Sequence, residues 1–334
     1  MGLTKPFAFI GSEQEMYLLD TYGYGEIAGF SFRKIKEDFT GDVIQIQRAS
    51  DSAITGIQFV DDYIDTGSIE TFCSGTYCTL DIWYDQRTGS KGTSFWKDGG
   101  NYTSAPIIYE SGSIVTGSNG KVAVTYRDGR HLDGYSFGGI YVNNVSFDPP
   151  PFDAYVALTT PTVTGSIAGH SIFKYPSRPG NPAGQEITFD LMLTFSGSYT
   201  ETNATIGNPY TFDGNYFGMY LENPAQEKLM VTSSMVYQTG SNYVVGWRAR
   251  KSDSLENFTG SIYVNNSLVA SNTNVPSGSY GQFATGDMGI DQYSGSAGRF
   301  NDGLIQELIY QKGGSSTGYR SAITDNINNY YNYY

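Results

Sequence analysis

Apolar and polar residues alternate with a period of two along much of this chain. "DVIQIQRAS" sets Val43, Ile44 and Ile46 among polar neighbours. "EITFDLMLTFSGSY" puts Ile187, Phe189, Leu191 and Leu193 on one face, and Thr188, Asp190, Met192 and Thr194 on the other. "KVAVTYRDG", "NYVVGWRARKS" and "GLIQELIYQKG" read the same way. Such alternation marks a strand with one face buried. In the last run it predicts Leu304, Gln306 and Leu308 on one face, with Ile305, Glu307 and Ile309 on the other. A carboxylate on an isoleucine face needs a partner if buried, so Glu307 reads as structural rather than catalytic. Short strands punctuated by Gly, Asn and Asp predict a sandwich of antiparallel sheets.

Helical signals are few. "SFRKIKEDFTG" carries Phe32, Ile35, Lys36 and Phe39 at helical spacing, with Ser31 as cap and Gly41 as stop. The C-terminal "SAITDNINNYYNYY" has Ser321 as cap and Ile323, Ile327 and Tyr330 on one stripe. Two segments nearly repeat, "GGIYVNNVS" from Gly138 and "GSIYVNNSL" from Gly260. Each runs a strand into Asn-Asn, a pair that tolerates the positive φ of a hairpin turn. We read them as two hairpins that solve one turn problem. Prolines cluster at 149–151 and 176–182, so any sub-boundary would fall near 150–185.

Composition sharpens this picture. The 334 residues include 28 Tyr and 41 Gly, and only 16% are charged, which suits a hairpin-rich β protein. A net charge of −13 repels phosphate backbones and anionic lipid, so neither nucleic acid nor membrane is an expected partner. No apolar run approaches a membrane span. The first residues, "MGLTKPFAFIGSEQEMYLLD", lack the long apolar stretch of a secretory leader. The expectation is a chain already trimmed, or one that reaches its destination without export.

One region carries a family resemblance. "SIETFCSGTYCTLDIWYDQRTGSKG" and, upstream, "FSFRKIKEDFTGDVIQIQRASDS" resemble the catalytic domain of α-L-arabinofuranosidase B, glycoside hydrolase family 54. The same module is similar to parts of bacteriophage structural proteins. The string Leu18-Leu19-Asp20-Thr21-Tyr22 and the ending "FNDGLIQELIYQKGGSSTGYRSAITDNINNYYNYY" share that phage-like character. The resemblance spans residues 17–95 and 286–334. It implies an all-β, concanavalin A-like (LamG-like) jelly roll of two antiparallel sheets with a few short helices, over residues 17–334.

It also implies site residues. Cys73 and Cys78, the only cysteines, are expected to form a disulfide across a Ser-Gly-Thr-Tyr hairpin turn. So small a loop contributes about 1–2 kcal/mol. With His131 and His170 they have the types for a zinc site, but the histidines stand 39 residues apart, far from the usual compact pair. No metal or cofactor is expected. A retaining glycosidase needs two carboxyls about 5 Å apart. Glu222 in "GMYLENPAQ" and Asp291 in "DMGIDQYSGSAG" are the candidates, although Tyr220 stands where the family has Asp and the family's adjacent Cys-Cys pair is missing. Ligand-binding candidates are Trp96, on a loop, and Tyr84, Asp85 and Gln86. Trp83 reads as core.

The function expected from these features is a bacteriophage virion surface protein: a head decoration, head fibre or tail-fibre-like component able to bind host glycan. Its partners would be other virion proteins and further copies of itself. Residues 1–16 would form a docking arm anchored by Phe7, Phe9 and Ile10. The alternatives are an arabinofuranosidase-like glycoside hydrolase or a non-catalytic lectin. Turnover of an arabinofuranoside separates the first alternative from the rest.

Overall fold

The computed structural model describes residues 17–22, 27–89, 95–96, 105–126, 132–134, 152–161, 169–175, 188–194, 197–199, 210–212, 214–222, 228–251, 258–272, 289–290, 303–312 and 317–334. The docking residues Phe7, Phe9 and Ile10 lie outside them, as do Asp291 and His131. The architecture is an antiparallel β-sandwich with short helices, as the alternation predicts.

One layer is centred on Leu304–Lys312. That strand pairs on one side with Phe152–Thr159, followed outward by Asn242–Lys251, Phe258–Val264 and Ser267–Asn272. Ile27–Ser31 and Val124–Thr125 line its other side. The second layer runs from Ile54–Ile57 through Ile44–Arg48, Cys78–Trp83, Phe95–Trp96, Leu132–Gly134, Gly289–Ile290, Gly169–Tyr175, Thr188–Thr194 and Tyr216–Glu222 to Lys228–Val236. Ile107–Glu110 bridges the layers by pairing with both Cys78–Trp83 and Val124–Thr125.

A single core fills the sandwich. Ile44, Ile46, Leu80, Trp83, Leu158, Leu191, Leu193, Phe217, Trp247 and Leu308 all lie within it. Trp247, from the first layer, donates its indole N–H to the Gly218 carbonyl of the second at 3.0 Å. That contact satisfies the one polar atom of a large buried ring. Trp83 is fully buried and stacks on Phe32 at 4.8 Å.

The outer face of the first layer carries a second, smaller core. Tyr155, Ala157, Val244 and Ile309 are covered there by Leu18 and Leu19 and by Ile323, Ile327 and Tyr331 of the C-terminal helix. This helix spans Thr317–Tyr331, so it begins four residues before the expected cap at Ser321. The "LLDTY" string forms the short helix Leu18–Tyr22, and Tyr22 meets Tyr319 edge-to-face at 6.0 Å. The Leu18–Tyr22 helix and the C-terminal helix therefore cover the same layer.

Three expectations are corrected. First, residues 31–41 form no helix. Their backbone is paired elsewhere: Ile64 N–H reaches Phe32 O at 3.1 Å, and Lys34 N–H reaches Asp62 O at 2.8 Å. Hydrogen bonds across the fold outcompete a helix this short. Second, the Cys73–Cys78 bond (S–S 2.06 Å, Cα–Cα 5.8 Å) is not a stapled hairpin. Cys73 ends the helix Thr66–Cys73 and Cys78 opens a core strand. Asp65 caps that helix by accepting from Ser68 N–H at 3.0 Å, and Ile69 and Cys73 fall on its buried side. Third, strict alternation fails in Leu304–Lys312. A bulge sets Ala157 opposite Glu307 but Leu158 opposite Ile305, so Gln306 is an extra residue. Ile305 thus joins Leu308 and Tyr310 in the main core, while Ile309 faces the helix.

The second near-repeat is a hairpin. Phe258–Val264 turns through Asn265 (φ 47°) and Asn266 (φ 66°) into Ser267–Asn272. The first near-repeat lies outside the described residues.

Candidate functional site

Tyr84, Asp85 and Gln86 follow directly from the strand Cys78–Trp83, which delivers them to the edge of Ile27–Ser31. Asp85 and Gln86 are buried. The Asp85 carboxylate accepts from Gly29 N–H at 2.9 Å, Arg87 N–H at 3.1 Å and the Thr88 hydroxyl at 3.2 Å. Burial pushes its pKa up to about 6, the three donors holding it from rising further. Gln86 accepts from Ile35 N–H at 2.8 Å and donates to the Ser31 and Arg33 carbonyls at 2.9 Å each. Gly29 leaves room for the side chains that pack over it: a Cβ there would lie 2.7 Å from Ile35 Cδ1 and 3.0 Å from Leu19 Cδ1. Asp85 and Gln86 thus clamp the segment 29–35 onto the sheet. Tyr84 is half-buried, and burial followed by the Asp42 and Asp81 carboxylates raises its pKa.

Glu307 stands beside this clamp. It accepts from Ser31 Oγ at 2.7 Å and from Arg33 Nε and Nη2 at 2.9 and 3.0 Å. Arg33 also donates to Asn326 Oδ1 of the C-terminal helix at 2.8 Å, and its guanidinium lies 5.0 Å from the Tyr330 ring centre. Both charged side chains are buried. The structural reading of Glu307 holds: it ties the first strand to the helix-covered face. A second buried cluster, Asp153 with Arg248 (3.0 Å) and Arg250 (2.8 Å), carried no signal in the sequence beyond alternating arginines.

The candidate carboxylates sit in the second layer. Glu222 ends the strand Tyr216–Glu222 in register with Thr188 and Lys228, and its side chain is outside the described atoms. Gly289–Ile290, the strand that leads to Asp291, lies three strands away: Ile290 pairs with Phe173, Phe173 with Leu191, and Leu191 with Met219. Three inter-strand steps separate those backbones by about 14 Å. Backbone register alone therefore does not bring the two strands to retaining-glycosidase spacing. Trp96 pairs with Ile82 and with Asp133, placing it within the sheet rather than on a free loop. Its side chain and that of His170 are outside the described atoms. Both cysteines are bonded to each other, so neither is free to ligate a metal. Among the described residues no cluster of three or more His, Cys, Asp or Glu is disposed to hold one.

The fold and its buried clamp define a class, the antiparallel β-sandwich. Comparison with known proteins narrows it. Residues 23–128, which contain the disulfide, the clamp and the bridging strand, match the family model "Alpha-L-arabinofuranosidase B, catalytic". No curated protein sequence matches the chain. Among solved structures, a GH54 α-L-arabinofuranosidase soaked with a cyclic sulfate inhibitor aligns with TM-score 0.59 and 16% identity, over 93% of this chain. An arabinofuranosidase complexed with arabinofuranosyl-α-1,2-xylobiose aligns with TM-score 0.56 and 17% identity, also over 93%. The chain spans 65% and 64% of those two structures. The likeness covers the whole sandwich; at this identity it speaks to the fold.

Proposed function

We propose that this chain is a carbohydrate-active module of the arabinofuranosidase type, which engages arabinofuranosyl groups on glycans. The observation that carries the reading is that a family match and a fold match point to the same kind of enzyme. The family model falls on the segment holding the disulfide and the Asp85–Gln86 clamp, and the solved arabinofuranosidases align over 93% of the chain. Glu222 is the candidate nucleophile and Asp291 the candidate acid/base, the two roles that retaining hydrolysis requires.

Turnover of an aryl α-L-arabinofuranoside separates the outcomes. Hydrolysis by the wild type, abolished in Glu222→Gln, supports a hydrolase. Binding of an arabinofuranosyl glycan without turnover assigns the module to lectin-type recognition. Neither binding nor turnover would overturn the proposal. A virion-surface setting, with Phe7, Phe9 and Ile10 as the docking arm, rests on the sequence resemblance. Its test is whether particles still carry the protein after deletion of residues 1–16.

A further inference from the structure

Away from the strand that ends at Glu222, a groove of about 510 Å³ opens between the hairpin 107–116 and the end of the strand Phe152–Thr159. This size falls in the roughly 300–1,000 Å³ range of small-ligand sites. The hairpin turns through Ser111 (φ 52°) and Gly112 (φ 83°), which swings Ser111 and Ser113 onto the rim with Thr116. All three are exposed. The opposite wall is Thr159, Thr160 and Gly240, and Ile114, Val115 and Leu304 supply apolar lining.

The wall is stiff. Thr160 Oγ1 donates to Gln238 O at 2.6 Å and accepts from Ser241 N–H at 3.1 Å, while Thr159 Oγ1 donates to Asn242 Oδ1 at 2.7 Å. The hairpin is fixed too: Val115 N–H reaches Ile108 O at 2.8 Å, Ala123 N–H reaches Val115 O at 3.0 Å, and Gly117 N–H reaches Lys121 O at 2.9 Å. With those backbone groups taken, the groove meets ligand through the side-chain hydroxyls of its exposed rim, Ser111, Ser113 and Thr116. An added peptide strand would need the opposite.

The lining chemistry selects a ligand class. Ser111, Ser113 and Thr116 present exposed hydroxyls, which both donate and accept, while the Thr159 and Thr160 hydroxyl protons are already given to Asn242 and Gln238 and those two residues shape the wall. A sugar offers the same dual groups along its edges and C–H surface on its faces, matched here by Ile114, Val115 and Leu304. Glu110 is the single charged group among the lining residues, so phosphate and carboxylate ligands are disfavoured. We infer that this groove is a binding subsite for a neutral oligosaccharide, separate from the strand ending at Glu222. The inference rests on the glycan reading above but not on catalysis.

The test is titration of the full chain with arabinotriose, followed by amide chemical shifts. Shifts are expected at residues 111–116 and 159–160, with digalacturonate giving none. Thr116→Trp, at an exposed position, should weaken this binding at least tenfold. Glu222→Gln should leave it unchanged even if turnover is lost. Absence of shifts at the groove, or shifts that persist in Thr116→Trp, or groove shifts abolished by Glu222→Gln, would overturn the inference. If no arabinofuranoside is hydrolysed while the groove shifts remain, the hydrolase assignment fails and the subsite stands.

Discussion

Two carboxylates are buried within one corner of the sandwich, and they are held by opposite means. Glu307 meets a guanidinium in a bidentate pair, with Ser31 adding a third donor. Asp85 meets two backbone N–H groups and a hydroxyl. Both fasten the segment 29–35, yet only one has a buried countercharge as its main partner. Burial raises the pKa of Asp85 to about 6. A polar cross-link in a core therefore has two designs. A charge pair is costly to break from either side, whereas a buried carboxylate held mainly by backbone N–H and hydroxyl donors is sensitive to pH.

The comparison is broken most severely at the ion pair. Glu307→Ala strands the buried Arg33 charge and should lower unfolding free energy by about 3–5 kcal/mol, measured by urea denaturation. Loss within 1 kcal/mol would mean that Arg33 finds water or another acceptor. Replacing Arg33 and Glu307 together with Met and Leu should cost much less than either charge removed alone.

The Asp85 side of the comparison appears in the pH dependence. Its folded pKa of about 6 lies above the ordinary aspartate value of about 3.9. Between those values the folded state holds the proton and the unfolded state does not. Its contribution to stability is therefore fully present below pH 4 and is lost as pH rises through 6. The difference corresponds to about 2–3 kcal/mol. Asp85→Asn keeps an acceptor for the Gly29 and Arg87 N–H groups and should flatten that part of the stability–pH curve. An unchanged slope in the variant would place the titration elsewhere.

The smallest effect belongs to the disulfide. Reduction of Cys73–Cys78 should lower stability by about 1–2 kcal/mol, because the closed loop is short. A larger loss, read from the unfolding midpoint in dithiothreitol, would show that the helix Thr66–Cys73 depends on the bond for its docking.

Much of the fold was legible along the chain. Period-two runs located the strands around Ile44, Leu191, Val245 and Leu308, and two Asn residues located the 265–266 turn. The candidate site was less legible. Tyr84, Asp85 and Gln86 belong to the family-like motif and read as ligand-binding candidates, but sequence does not say that Asp85 and Gln86 point inward to the backbone of residues 29–35. A helix-like spacing at 31–41 was misleading for the same reason, since the partners of that backbone come from residues 17–22, 58–65 and 85–86.

By itself the sequence determined what depends on composition or on neighbours within a few positions: strand periodicity, the Asn-Asn turn, the helical stripe near the C-terminus, and the acidic net charge. Only the tertiary structure decided the bulge at Gln306, the pairing of Arg33 with Glu307 across 274 positions, the inward use of Asp85 and Gln86, and the hydroxyl-lined groove. These depend on which strands become neighbours. Register across a sheet, and the low dielectric it encloses, are properties of packed chain segments rather than of any local run.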